Sequence, residues 1–156
     1  MVLYEAATGR RCLRCLGGGI QGSVYLTARP AEGNPLAVKF HHRVSGYRRE
    51  RDAYHRLRYH DVTIVLGHHV PQFIDHDDEL LTIEMTIVRR PFLLDFGGAY
   101  LDRPPDYPNY VLRRWRADKR RQFGEHWPDV HFILKELESY GIYLTDVNPG
   151  NITFGD

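Results

Sequence analysis

The sequence is poor in cysteine, with only Cys12 and Cys15 among 156 residues. Two thiols cannot build a disulfide framework, so the expected setting is a reducing, cytoplasmic one. No apolar run approaches the roughly 18 residues of a membrane span, which excludes a membrane-spanning helix and leaves no membrane partner to expect. Arg10, Arg11 and Arg14 near the start are followed by no apolar segment of the kind a secretory leader needs. Internal repeats, low-complexity tracts and obvious linkers are absent too. What is present is 42% apolar and 12% aromatic residues, enough to bury a core at this length, and an ordinary 26% of charged ones. One domain over residues 1–156 is expected.

The net charge of +1 conceals a polarity. Residues 1–60 carry eleven Lys/Arg against four Asp/Glu, a net +7, and residues 61–156 carry ten against sixteen, a net −6. An anion-facing first half is the natural reading, and nucleotide, nucleic acid and an anionic surface all fit it.

Strand-forming residues at 11–16 and 23–29 flank the cluster Gly17-Gly18-Gly19-Ile20-Gln21-Gly22. A turn from Pro30 to Pro35 leads to a third strand, Leu36–Phe40. Ser45 is placed to cap a helix running from about Tyr47 to Tyr59. Gln72–Asp75 and Leu80–Met85 read as two more strands around the acidic turn 76–79. Pro91, Pro104, Pro105 and Pro108 punctuate a loop-rich stretch from 89 to 110. A helix over 111–123 follows, then another from Trp127 with Val130, Ile133, Leu134, Leu137 and Tyr140 at a 3.6-residue period. Gly141 stands where a helix C-terminus wants glycine. The layout is α+β: five strands with one inserted helix, then helices.

Gly17-x-Gly19-x-x-Gly22-x-Val24 fits two glycine motifs. The dinucleotide fingerprint must open a helix, and the residues after Gly22 are strand formers, so that reading fails. A strand–loop–strand hairpin, whose glycine backbone can approach phosphate oxygens, fits instead; a plain flexible hairpin fits the pattern equally. Lys39 lies 17 positions after Gly22, in a strand otherwise apolar. Alternation turns it to the face opposite Val38 and Phe40. On the following helix Ala53, Tyr54 and Leu57 stand three, four and seven residues after Glu50, which places Glu50 on the core-facing side. A carboxylate there is costly unless paired, and Lys39 is the only lysine in the first half. The other rotation would leave Glu50 at the rim among Arg48, Arg49 and Arg51.

After the last helix, Asp146, Pro149 and Asn151 stand in the string Leu144-Thr145-Asp146-Val147-Asn148-Pro149-Gly150-Asn151-Ile152. With the glycine hairpin, Ala37-Val38-Lys39 and Glu50 ahead of it in order, the chain resembles the protein kinase superfamily. The resemblance implies a five-stranded antiparallel sheet lobe with one helix over 1–88 and a truncated helical lobe over 89–156. It implies ATP and Mg²⁺, with adenine against the connector near Glu84–Val88. Gly17, Gly19, Gly22 and Val24 would cover the nucleotide, Lys39 held by Glu50 would bind its phosphates, Asp146 would orient a hydroxyl acceptor, and Asn151 would ligate the metal.

Departures from the family qualify this. Leu144-Thr145 replace its His-Arg, and Asn148 replaces the loop lysine that neutralises the γ-phosphate. In the family an Asp-Phe-Gly motif follows the asparagine by about a dozen residues and its Asp holds the main metal. Here Asp156 follows Asn151 by five residues, about 16 Å of extended chain, too far to share a metal without a sharp turn at Gly155. The metal-binding Asp is therefore expected to be missing. Two functions remain open: an ATP-dependent phosphotransferase, or a catalytically inactive module that binds a nucleotide or a partner. A protein partner completing or using the truncated lobe belongs to the second.

Cys12-x-x-Cys15 lacks a second cysteine pair for zinc and sits in a strand, so both read as strand residues. His41-His42 and His68-His69 read as surface histidines. Arg113, Arg114, Arg116, Lys119, Arg120 and Arg121 form a basic face on helix 111–123, anchored by Leu112, Trp115 and Phe123. A solvated face accounts for it, and so does docking of RNA or an acidic partner.

Overall fold

The computed structural model describes residues 1–28 and 33–155. Part of the expected turn from Pro30 to Pro35, and Asp156, lie outside the described residues. The chain opens with a short helix α1 (Val2–Thr8), closed by Gly9 in the left-handed region. Strands β1 (Arg11–Gly18), β2 (Gly22–Ala28) and β3 (Leu36–His41) follow. Helix α2 (Val44–Tyr59) comes next, then a minimal hairpin, β4 (Ile64–Val65) with β5 (His68–His69). Strands β6 (Phe73–Asp77) and β7 (Thr82–Met85) complete a five-stranded antiparallel sheet of order β1-β2-β3-β7-β6. Beyond it come β8 (Ala99–Leu101), α3 (Asn109–Phe123), a 3₁₀ turn over Gly124–His126, α4 (Trp127–Ser139) and β9 (Ile142–Leu144).

The expected α+β layout is present, and its differences have local causes. Arg43, not Ser45, occupies the N-cap of α2, in extended conformation and without a side-chain cap; Ser45 lies inside the first turn. β7 starts at Thr82 rather than Leu80 because the Asp77 carboxylate accepts the Glu79 and Leu80 amides, each at 2.8 Å, drawing those residues into the turn. α3 starts at Asn109, since the Pro108 carbonyl already accepts the amides of Val111 and Leu112. Gly141, at φ +74, ends α4 as expected, its amide reaching the Glu138 carbonyl at 2.9 Å.

Strand register sorts the sheet's two faces. Val24 opposes Lys39, and Lys39 opposes Ile83, so these three share the face that α2 covers. Val38 opposes Glu84 on the other face. There α1, absent from the sequence reading, lays Tyr4 edge-on against Phe40 at 5.4 Å, and the Tyr4 hydroxyl donates to Glu84 at 2.6 Å. Glu84 is thereby committed to the outer face, away from Lys39.

A second set of pairings organises the rest. β8 pairs antiparallel with β9, Ala99 opposite Leu144. Leu93 bridges Ile152 antiparallel, the Leu94 amide donates to the Asn151 carbonyl at 2.8 Å, and the Thr153 amide donates to that of Phe92 at 3.0 Å. Residues 92–101 thus run alongside both flanks of the loop 145–150. The apolar core is continuous across these parts, joining Ala37, Tyr54 and Ile83 to Phe96, Ile133, Leu137 and Ile152.

Helix α4 supplies a clean comparison within one element, for Leu137 is fully buried and Phe132 is 62% exposed. Leu137→Ala is expected to lower unfolding free energy by about 2–5 kcal/mol, through lost transfer energy and a residual cavity. Phe132→Ala should stay within about 0.5 kcal/mol. Urea titration of the two variants beside the wild type checks this, and equal losses would contradict the buried face assigned to α4.

Candidate functional site

The site begins with a lysine that the sheet drives inward. Lys39 is 5% exposed, and Glu50, one turn into the buried face of α2, is 1% exposed. Lys39 Nζ stands 2.6 Å from Glu50 Oε2, so the helix rotation that leaves Glu50 among arginines at the rim is excluded. His41, two residues along the same strand face, places Nε2 2.8 Å from the same oxygen. Its Nδ1 lies 3.2 Å from the Leu81 carbonyl. His41 is therefore no surface residue. In each histidine pair the first member is buried and the second exposed, and His68 is the other buried one. Burial alone would push Glu50 up, but Lys39 and His41 outweigh it and hold its carboxyl below the ordinary value. Burial likewise works against the Lys39 ammonium, and Glu50 with Asp95 outweighs it, raising that group.

Asp95 is the residue the sequence reading missed. Its Oδ1 accepts Lys39 Nζ at 2.9 Å, and its Oδ2 lies 3.4 Å from Asn151 Nδ2. It begins the string Asp95-Phe96-Gly97, so the expectation of a missing Asp-Phe-Gly is corrected. The string stands upstream of Asp146, whereas the resemblance places it downstream of Asn151. Asp95 has φ +65, a left-handed conformation uncommon outside glycine and concentrated at functional positions. Phe96 is fully buried, edge-on to Tyr54 of α2 at 5.3 Å. Tyr54 is one turn after Glu50, so the same packing that anchors Phe96 steadies the helix face presenting Glu50.

One close approach needs glycine and a second is tight. A Cβ on Gly98 would stand 2.8 Å from the Asp146 Cβ, and one on Gly97 would stand 3.3 Å from both the Asp95 and Glu50 carboxylates. The loop 145–150 turns on Asn148, whose side chain accepts the Gly150 amide at 2.8 Å and whose carbonyl accepts the amides of Asn151 and Ile152. Asp146 is exposed, and among the described residues its carboxylate takes no protein hydrogen bond. That leaves it free to accept from another molecule.

The glycine hairpin divides by role. Gly22 is buried within β2, where a Cβ would meet the Phe40 carbonyl oxygen at 2.2 Å, so strand packing by itself accounts for that glycine. Gly17 and Gly19 are exposed with open space where a Cβ would go, and packing places no demand on them. The Gly19 amide reaches the Gly22 carbonyl at 2.9 Å, closing the turn. Cys12 and Cys15 are free thiols on β1.

Among the described residues no three His, Cys, Asp or Glu side chains cluster as a metal site. Mg²⁺ does not need such a cage; one carboxylate, a neutral oxygen and phosphate oxygens make its usual set. Asp95 and Asn151 carry oxygens of that kind, but here the Asn151 amide nitrogen faces Asp95 Oδ2, so the Asn151 amide would turn its oxygen inward to share a metal with that carboxylate. A cavity of about 620 Å³ lined by Leu66, His68, Ile133 and Phe154 shares no residue with this cluster. No helix among the described residues is long and apolar enough to cross a membrane.

No family model matches the chain, and no curated protein does. Among solved structures it is similar to the PknI kinase domain of Mycobacterium tuberculosis, at 22% identity over 92% of this chain and 53% of that one, with a TM-score of 0.40. A doubly substituted form of the same domain gives 22% identity over 96% and 55%, with a TM-score of 0.43. The chain spans about half the length of the kinase domains it matches.

The pairing has a pH signature. A carboxyl held below its ordinary 4.5 contributes stability that is present above that value and lost as pH falls through the folded value. Glu50→Gln should therefore cost about 3 kcal/mol at pH 7, the lower end for breaking a buried pair because Asp95 still faces Lys39. It should also flatten the loss of stability on acidification below 4.5. Urea unfolding of both proteins from pH 7 to pH 3 checks this; parallel pH curves would contradict the assignment.

Proposed function

We propose that the chain is a protein-kinase-like phosphotransferase that binds ATP between the five-stranded sheet and the loop 145–150, and passes its γ-phosphoryl group to a hydroxyl. The observation that carries this reading is the convergence on Lys39. Glu50 from α2 and Asp95 from the Asp-Phe-Gly string both hold its ammonium, and Asn151 stands at the other oxygen of Asp95. Phosphoryl transfer needs little covalent chemistry from the protein; it needs positioned charge.

Each residue then has a task set by its chemistry. Lys39 offers a charge-assisted contact to phosphate oxygens, and Glu50, with His41 on the same oxygen, keeps it from swinging out of the cleft. The exposed glycines at 17 and 19 let backbone amides approach phosphate, while Val24, level with Lys39 on β2, gives the nucleotide an apolar surface. Asp95 and Asn151 would hold Mg²⁺, which when bound neutralises charge on the transferring phosphates. Asp146, exposed and without a protein hydrogen bond to its carboxylate among the described residues, accepts the acceptor's hydroxyl proton.

A non-catalytic module that binds a nucleotide or a protein partner is the second reading. The replacement of the family's loop lysine by Asn148, and of His-Arg by Leu144-Thr145, favours it. The recovery of Asp95 removes the strongest argument for it.

Titration with ATP, with and without Mg²⁺, separates the roles. Lys39→Ala should weaken binding by about 1.5–3 kcal/mol, the worth of a charge-assisted contact. Asp95→Asn should abolish the dependence of binding on Mg²⁺. In an ATP turnover assay Asp146→Ala should lower the rate by about 10²–10⁴-fold while leaving ATP affinity unchanged. Mg²⁺-independent binding by the wild type, or turnover indifferent to Asp146, would overturn the phosphotransferase reading.

A further inference from the structure

The carboxylate of Asp146 accepts no protein hydrogen bond among the described residues, so its position rests on the backbone that carries it. In the family resemblance that backbone follows a His-Arg pair, here Leu144-Thr145. Something else must hold the loop. Two side chains from α3 do reach it. Trp115 Nε1 donates to the Thr145 carbonyl at 2.8 Å, and Lys119 Nζ donates to the Val147 carbonyl. These carbonyls belong to the residues on either side of Asp146.

The two donors stand four apart on α3, hence on one face of the helix. Both are half-buried, unlike Arg113, Arg114, Arg116, Arg120 and Arg121, which are exposed. Lys119 thus leaves the basic face to which its sequence neighbours belong. Its ammonium also meets the Gln122 side-chain oxygen at 3.2 Å. Burial lowers its pKa, while Asp146 and Asp118 act in the opposite direction, so the Asp146 charge lies within electrostatic reach. The helix is itself well seated: Trp115 packs edge-on against Trp127 of α4 at 6.1 Å, and Phe123 is buried at its far end. On the loop side Val147 is 1% exposed, which makes its carbonyl a fixed target rather than a mobile one.

We propose that Trp115 and Lys119 are positioning residues that clamp the loop from α3 and set where the Asp146 carboxylate stands. Hydrogen bonds to the carbonyls of the residues before and after Asp146 fix the 145–146 peptide plane directly and pin the chain again at Val147, so the residue between them is held from both sides. The third N–H of Lys119 and its charge remain available beside Asp146, in a loop that carries Asn148 instead of lysine. The inference rests on the phosphotransferase reading for its effect on rate, and on geometry alone for its effect on the loop.

The test uses Lys119→Met, Lys119→Arg and Trp115→Phe in the whole chain, with Mg·ATP hydrolysis, water being the acceptor, and hydrogen exchange of the backbone amides. Misplacing a reacting group by about 1 Å can cost about 100-fold, so Lys119→Met should lower kcat by about 10–100-fold with KM for ATP unchanged. Lys119→Arg, which keeps a charged donor, should recover much of the loss, and Trp115→Phe should act in the same direction as Lys119→Met. In both disruptive variants the amides of 146–148 should exchange faster while those of β3 and α2 keep their protection. A kcat indifferent to Lys119, a parallel rise in KM, or faster exchange spread over the whole molecule overturns the clamp. Should the wild type hydrolyse no ATP, the phosphotransferase reading fails and the exchange data judge the clamp alone: selective loosening of 146–148 upholds it, and its absence overturns it.

Discussion

The structure turns on a buried ammonium that has to be neutralised from two directions. Lys39 points into the layer between sheet and helix, where an unpaired charge would cost several kcal/mol. Glu50 answers it from α2 and Asp95 from the segment after the sheet. Meeting both demands ties three stretches of chain to one atom, one of them 56 residues from the lysine. The rotation of α2, the burial of Phe96 against Tyr54, and the approach of Gly97 to the Glu50 carboxylate all follow from that constraint. His41 adds a second donor at the oxygen of Glu50 that faces Lys39, so the carboxylate cannot turn away without losing two partners.

The order of segments along the chain matters less than their pairing in space. Residues 92–95 lie antiparallel to 151–153, and 99–101 lie antiparallel to 142–144, so the turns 96–98 and 145–150 are clasped between two ladders. Antiparallel ladders impose direction and register, and neither depends on which segment the ribosome makes first. An Asp-Phe-Gly string placed before the Asp146 loop can therefore deliver its carboxylate beside Asn151 as readily as one placed after it.

The same physics explains what α3 does. A helix so rich in arginine would be solvated all round if nothing apolar or polar anchored it. Here Trp115, Lys119 and Phe123 supply the anchored side, and two of these three also hold the loop that carries Asp146. Its remaining arginines stay in water. A helix thus joins the packing of α4 to the geometry of the loop 145–150 through side chains four residues apart.

Much of this was legible in the sequence, and the reasons are local. Strand alternation placed Lys39 opposite Val38 and Phe40, and helical spacing placed Glu50 with Ala53, Tyr54 and Leu57; both follow from backbone period alone. The α+β class, the five strands and the stop at Gly141 came from the same kind of pattern. The strands β8 and β9 did not, because three residues are too few to show a period, and α1 is too short to assert one. The inward turn of Lys119 was not legible either, since a run of basic residues carries no mark of which one a distant carbonyl will claim. Nor is the buried place of His41 legible, because adjacency of histidines says nothing of what the opposite element brings. The residue names of Asp95-Phe96-Gly97 are plain in the sequence, but their meaning was not. Asp95 lies 56 residues from both Lys39 and Asn151 along the chain, and only the folded chain decides such long-range pairings.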